Sequence, residues 1–141
     1  MVFATFAVES KVGTVPPCEG IQLYKLRIDP HITFACEVAI DVDGSFLALL
    51  EDVQVLFLHR LLGLHKISMC AVLFTETRIM PNIYRCIVLA LWNLQYLLKQ
   101  PAHHYACATF NDACLLHVKR KPSWVGDIVF VLSHLSVPVV L

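Results

Sequence analysis

The sequence lacks a hydrophobic run long enough to cross a bilayer, although its composition is apolar. Hydrophobic residues make up 57% of the chain, charged residues make up 16%, and the mean hydropathy is +0.67. The longest central stretch without a formal charge is residues 86–98, 13 residues that include Asn93 and Gln95. A transmembrane helix needs about 20 apolar residues. We therefore expect no membrane span, and an exposed apolar face that contacts another protein.

A secretion signal and a CxxC pair are also missing. The first residues, MVFATFAVESK, have no basic region, and their apolar run stops at Glu9, so they make a poor signal peptide. Disulfide frameworks are typical of small secreted chains. The six cysteines are at positions 18, 36, 70, 86, 107 and 114. We expect them to be reduced thiols in an intracellular protein, with nucleus or cytoplasm left open.

The chain has little net charge but an uneven charge distribution. Eleven Lys and Arg residues balance eleven Asp and Glu residues, so there is no global attraction to nucleic acid. Residues 37–52 contain five acids and no Lys or Arg, whereas residues 60–121 contain eight Lys or Arg and two acids. The C-terminal half is therefore basic even though the whole chain is neutral.

Hydrophobic periodicity predicts a mainly α fold, an irregular bundle of about four or five helices. The clearest helix follows Asp43, because apolar residues recur at spacings of three and four. Asp43 or Ser45 can cap its start, and Gly63 can close it in a left-handed turn. Its expected core face consists of Phe46, Leu49, Leu50, Val53, Phe57, Arg60 and Leu61.

Four further helices are expected after this one, over residues 68–75, 82–99, 102–118 and 123–135. Pro81 and Pro101 suit the first turns of two of them, and Ser123 suits an N-cap. Residues 1–30 are expected to form an irregular lead-in, and residues 31–141 one helical domain. Around Pro30, over residues 21–42, the pattern leaves helix and strand both open.

One set of side chains has the composition of a zinc site. His104 and Cys107 are three residues apart, as are Cys114 and His117, so each pair shares a helix face. Zinc accepts two cysteines and two histidines. In one continuous helix, however, His104 and His117 lie about 20 Å apart, too far for ligands about 2 Å from one metal. We therefore expect a structural helix, with no metal and no cofactor.

Other candidate chemistry is weaker. The sequence DVDG at 41–44 resembles the start of a calcium loop but lacks its later acids, so a helix N-cap region is the better interpretation. Cys36 has no recognisable base partner, and we expect no catalytic residue. The run HVKRK at 117–121 is compatible with two interpretations: a solvated helix end that complements the helix dipole, or a phosphate-binding segment.

A longer pattern resembles a known family. Its parts are Cys-Glu at 36–37, LExxQxxFLxRLLGL at 50–64, LFTETxIMP at 73–81 and KPSW at 121–124. Together they are similar to a segment of fungal non-LTR retrotransposon polyproteins, and the resemblance covers residues 30–141. In those proteins the segment lies downstream of the reverse transcriptase palm, in and after the thumb. The resemblance implies a helical fragment of an RNA-directed DNA polymerase.

The resemblance also implies that the chain is not an enzyme. The polymerase holds two metal ions with paired palm carboxylates, and the aromatic-x-Asp-Asp motif that supplies them is absent here. Asp41 and Asp43 fall in the downstream region and cannot replace them. The thumb and post-thumb helices pack along primer and template and contact the backbone through Arg and Lys. By matching position, the candidate contacts are Arg60, Lys66, Arg85, Lys119, Arg120 and Lys121.

The chain departs from the family at positions where the family has arginines. His59-Arg60 stands in place of Arg-Arg, and the arginine-rich turn after Met-Pro has become NIYRC. The expected activity is therefore at most residual, sequence-independent binding to RNA or an RNA–DNA hybrid. Two alternatives remain open: a helical protein-interaction module that docks through its apolar face, and a decayed element with no selected function.

Overall fold

The computed structural model describes residues 15–40, 42–65 and 67–135, which form helices and no strand. The mainly α prediction is therefore confirmed. No helix within the described residues is long and apolar enough to cross a membrane. The elements are α1 (Pro17–Leu23), a π-helical stretch (Tyr24–Ile28), α2 (Asp29–Ile32), α3 (Gly44–Leu61), α4 (Cys70–Thr77), α5 (Asn82–Leu98), α6 (Tyr105–Val118) and α7 (Trp124–His134).

The N-terminal region is more regular than expected. Helix begins at Pro17, where a proline costs nothing because the first N–H groups of a helix have no intrahelical partner. The π-helical stretch directly precedes α2, in whose first turn Pro30 lies. In a regular α-helix, the ring of Pro30 would clash with the carbonyl of the residue four positions earlier. Helical structure therefore extends from Pro17 through residue 30, within the segment expected to form an irregular lead-in, and residues 1–14 of that segment lie outside the described ones.

The chain divides into two compact units. One combines the N-terminal segment as far as Phe34 with Ser45–Ile83, and the other combines Ala35–Gly44 with the chain from Tyr84 onward. This division does not follow a boundary at residue 30. The N-terminal helical segment belongs with α3 because its apolar side chains pack into the same core as those of α3.

The core of the first unit forms where the N-terminal helical segment, α3 and α4 meet. Tyr24 and Phe57 pack with their ring centroids 5.4 Å apart. Gly20 allows α1 to approach α3 closely, because a side chain at this position would collide with Leu61. The buried cluster comprises Tyr24, Ile28, Phe57, Leu58, Leu73 and Ile79. These residues remove apolar surface from water, which is the main favourable contribution to folding.

Gln54 is a buried polar residue at the edge of this core, 1% exposed. Its Nε2 donates hydrogen bonds to the Tyr24 hydroxyl (2.9 Å) and the Met80 carbonyl (3.0 Å). Its Oε1 accepts from the backbone N–H of Asn82 (2.9 Å), the first residue of α5. A first-turn N–H has no partner within its own helix. Gln54 therefore anchors the start of α5, which leads into the second unit.

The sequence predicted the C-terminal end of α3 better than it predicted the buried side of this helix. Gly63 has φ +63°, and the N–H groups of Gly63 and Leu64 donate to the carbonyls of Arg60 and His59, which is the Schellman arrangement. The predicted closure is thus confirmed. Only part of the predicted core face is buried: Phe57 is buried, whereas Phe46 is 47% exposed and Arg60 is also exposed.

The second unit contains most of α5 together with α6 and α7. Ser123 caps α7 as predicted, with its Oγ accepting from the Gly126 N–H at 3.2 Å. Helix α6 begins at Tyr105, three residues later than expected, because the His104 side chain forms the N-cap. An apolar cavity of about 220 Å³ lies among the three helices. It is lined by Leu94, Leu98, Phe110, Cys114, Trp124, Val125 and Ile128.

Candidate nucleic-acid interface

The candidate cations divide between the two units. Arg60 lies in the last turn of α3 in the first unit and is exposed. Lys66 lies outside the described residues. Arg85 and residues 119–121 belong to the second unit. His59, which stands where the family has an arginine, is only 4% exposed, so a cation at that position would be buried rather than available to a phosphate.

Residues 119–121 form the C-terminal turn of α6. Arg120 has φ +55°, and its N–H donates to the His117 carbonyl at 2.9 Å. The Lys121 N–H donates to the Leu116 carbonyl at 2.9 Å, completing a second Schellman arrangement. All three side chains are exposed. The run therefore places three cations at the negative end of the helix dipole and in contact with solvent, which is compatible with both interpretations of HVKRK.

Arginine is an unusual residue at this left-handed position, where glycine avoids a penalty of roughly 1 kcal/mol. We expect Arg120→Gly to raise the free energy of unfolding relative to Lys119→Gly by about 1–2 kcal/mol. Lys119 is the matched control because it has φ −77° and carries the same charge at the same helix end. Urea unfolding of the two variants measures the difference, and equal stabilities would contradict the left-handed closure of α6.

Arg85 lies near an exposed aromatic residue of α5. Its guanidinium carbon lies 5.9 Å from the centroid of the Trp92 ring, within the distance at which a cation is attracted to an aromatic face. Arg85 is half-buried, and Trp92 is 58% exposed. The position that the resemblance assigned to backbone contact is therefore paired with an aromatic side chain that sequence reasoning did not select.

Two more aromatic residues on α5 are exposed and were also missed. Tyr84 is 50% exposed and Tyr96 is 52% exposed. The signal was present in the sequence, because residues 84, 92 and 96 are separated by multiples of four and so recur on one side of a helix. Sequence reasoning did not select these residues, because aromatic residues at helical spacing are usually core residues.

The four potential zinc ligands are used separately. His104 is the N-cap residue of α6, and its Nδ1 accepts a hydrogen bond from the Ala106 N–H at 3.2 Å. The Asn111 side chain lies 3.9 Å from the Cys107 sulfur, Cys114 lines the apolar cavity, and His117 lies beside Gly126. Among the described residues, no three His, Cys, Asp or Glu side chains come together in a metal-binding arrangement.

Comparison with known proteins identifies no relative of this chain. No family model, no curated protein and no solved structure matches the chain. The interpretation of the cations therefore depends on the sequence resemblance and on the positions of the side chains.

Proposed function

We propose that the chain is a catalytically inert fragment of the thumb and post-thumb region of a non-LTR retrotransposon reverse transcriptase, and that it binds RNA or RNA–DNA backbone without sequence preference. The motif pattern over residues 30–141 supports the origin. The six cysteines all lie in the described part of the chain and keep their thiols, which fits the proposed intracellular setting, in either nucleus or cytoplasm. The chain lacks the paired palm carboxylates, so the proposal includes no nucleotidyl transfer.

The exposed basic run at 119–121 is the observation that best supports binding. Phosphate contacts need cations that reach solvent without a large cost of desolvation, and all three side chains are exposed. Asp112 is the single acid between residues 77 and 121. A phosphate backbone approaching this part of the chain therefore meets mainly positive charge. Contacts of this kind position a protein on nucleic acid but do not specify a sequence.

Binding of this kind is expected to weaken steeply with salt. Each phosphate contact contributes about 0.7–0.9 to the slope of log affinity against log salt concentration, because binding releases condensed counterions. We expect the triple variant Lys119→Ala, Arg120→Gly, Lys121→Ala to reduce the magnitude of this slope by about 2–3, because it removes three such contacts. Fluorescence anisotropy with a labelled single-stranded RNA and with an RNA–DNA hybrid measures it.

The matched control is Lys25→Ala with Arg27→Ala, which removes two exposed cations outside the candidate set. This control is expected to leave the slope nearly unchanged, and a mixed-sequence RNA is expected to bind as tightly as a homopolymer. Affinity independent of salt, or restricted to one sequence, would contradict the proposal.

A second candidate function is docking to another protein. Several large apolar side chains are strongly exposed: Leu26 (74%), Phe34 (83%), Ile67 (86%) and Met69 (72%). Exposed apolar surface of this kind is typical of interaction sites. A discrete oligomer whose melting temperature rises with concentration would favour this candidate, whereas a monomer that binds RNA would favour backbone binding.

A further inference from the structure

The exposed side of α5 carries three aromatic rings and two cations. We call Tyr84, Arg85, Trp92, Tyr96 and Lys99 the α5 stripe. Because an α-helix turns by about 100° per residue, these five positions fall within a sector of about 120°. The rings are 50%, 58% and 52% exposed in chain order. The stripe therefore places three aromatic rings, all accessible to solvent, on one side of α5 in the second unit.

The opposite side of α5 is the buried one. Cys86, Ile87 and Ala90 are 3%, 6% and 1% exposed, respectively. Asn93, whose Nδ2 donates to the Glu37 carbonyl at 2.9 Å, also lies outside the stripe. The helix thus buries small and aliphatic side chains and exposes its largest rings. An exposed row of aromatic residues is unusual on a soluble surface and is typical of a binding site.

The charges that α5 itself carries favour one class of partner. Residues 77–111 contain no Asp or Glu, so no acid on α5 opposes an approaching anion. Arg85 lies 5.9 Å from the centroid of the Trp92 ring, and Lys99 directly follows the last turn. Aromatic rings interleaved with cations are the combination by which proteins hold unpaired nucleotides, since the rings stack on bases and the cations neutralise phosphates.

The spacing of the rings is also suitable. Trp92 and Tyr96 are one turn apart, about 6 Å along the helix axis, and Tyr84 precedes Trp92 by about 12 Å. Each base offers a flat face irrespective of its identity, so such a row is sequence-tolerant. A duplex keeps its bases stacked on each other, and they are therefore not available to these rings.

We infer that the α5 stripe binds single-stranded RNA or DNA by stacking unpaired bases on Trp92 and Tyr96, with Arg85 and Lys99 at the phosphates. This inference rests on the proposed backbone binding and extends it, because it predicts a preference for single strands over duplexes. Contacts to the backbone alone predict no such preference for unpaired bases.

The test compares variants of Trp92 on the full chain. With an oligouridylate of about 12 nucleotides, a length within the range that single-strand sites cover, Trp92→Ala is expected to lower affinity about 10-fold. Trp92→Phe is expected to retain most of the affinity, because the smaller ring still stacks, and to lose most of the fluorescence quenching that oligouridylate causes in the unmodified protein. Tyr105→Ala is the matched control, since Tyr105 is an exposed ring (89%) on α6, and it is expected to leave affinity unchanged.

The outcomes separate this inference from the proposed function. Salt-dependent binding that Trp92→Ala leaves unchanged, or equal affinity for oligouridylate and an RNA duplex of the same length, would overturn base stacking and leave backbone binding intact. The absence of binding to either probe would overturn both. A Trp92→Ala variant that changes only self-association, measured by light scattering, would overturn the inference and assign the stripe to a protein contact.

Discussion

Replacing Gln54 by leucine is expected to lower the free energy of unfolding by about 3 kcal/mol, because it leaves buried polar groups without partners. The Asn82 N–H and the Met80 carbonyl both lose their hydrogen bonds to the Gln54 amide. The Tyr24 hydroxyl loses the Gln54 amide as a donor. Because leucine is similar in volume to glutamine, the loss of unfolding free energy comes mainly from the polar groups that are left without partners. Urea unfolding followed by far-UV circular dichroism measures the change.

The control is Gln95→Leu, which makes the same substitution on the exposed surface of α5. It is expected to change stability by less than about 0.5 kcal/mol. Tyr24→Phe removes only one of the three Gln54 partners and is expected to cost about 1 kcal/mol. If Gln54→Leu proved no more destabilising than Gln95→Leu, the hydrogen bonds that anchor α5 to α3 would contribute nothing to stability.

Gln54 also shows where sequence reasoning stops. Periodicity predicted α3 and α5, and local chemistry predicted the closure at Gly63 and the cap at Ser123, because each depends on residues within one or two turns. The partners of Gln54, in contrast, are 30, 26 and 28 residues away along the chain. A lone glutamine in an apolar helix is ordinarily expected to face solvent. Its burial follows only from the packing of distant segments.

For the candidate interface, too, the sequence predicted the local features and missed others. The basic run at 119–121 was evident from composition, and its position at the end of a helix followed from the break at Lys-Pro-Ser-Trp. The left-handed Arg120 was not predictable, because glycine or asparagine usually occupies that position. The spacing of Tyr84, Trp92 and Tyr96 places the three rings on one side of α5, but their exposure was not predictable, since a helix whose residues are mostly apolar does not reveal which side packs against its neighbours.

A contrast between two phenylalanines of α3 tests the corrected core face directly. Both Phe46 and Phe57 fit the helical period, but Phe46 is 47% exposed and Phe57 is 1% exposed. Phe57→Ala is expected to cost about 3–4 kcal/mol, because it opens a cavity beside Tyr24. Phe46→Ala is expected to cost less than about 0.5 kcal/mol. Thermal or urea unfolding at several protein concentrations measures both values.

Protein domains are generally only marginally stable, so a loss of this size can be enough to unfold the Phe57→Ala variant altogether. Phe57→Leu provides the graded variant, because leucine retains most of the buried apolar area and is expected to lose only about 1 kcal/mol. A large loss from Phe46→Ala would contradict the exposed position of this residue. If that loss also grew with protein concentration, the start of α3 would be covered by a second copy of the chain, because only an intermolecular contact makes stability depend on concentration. The two phenylalanines therefore distinguish a face that is exposed in the isolated chain from one that is buried by association.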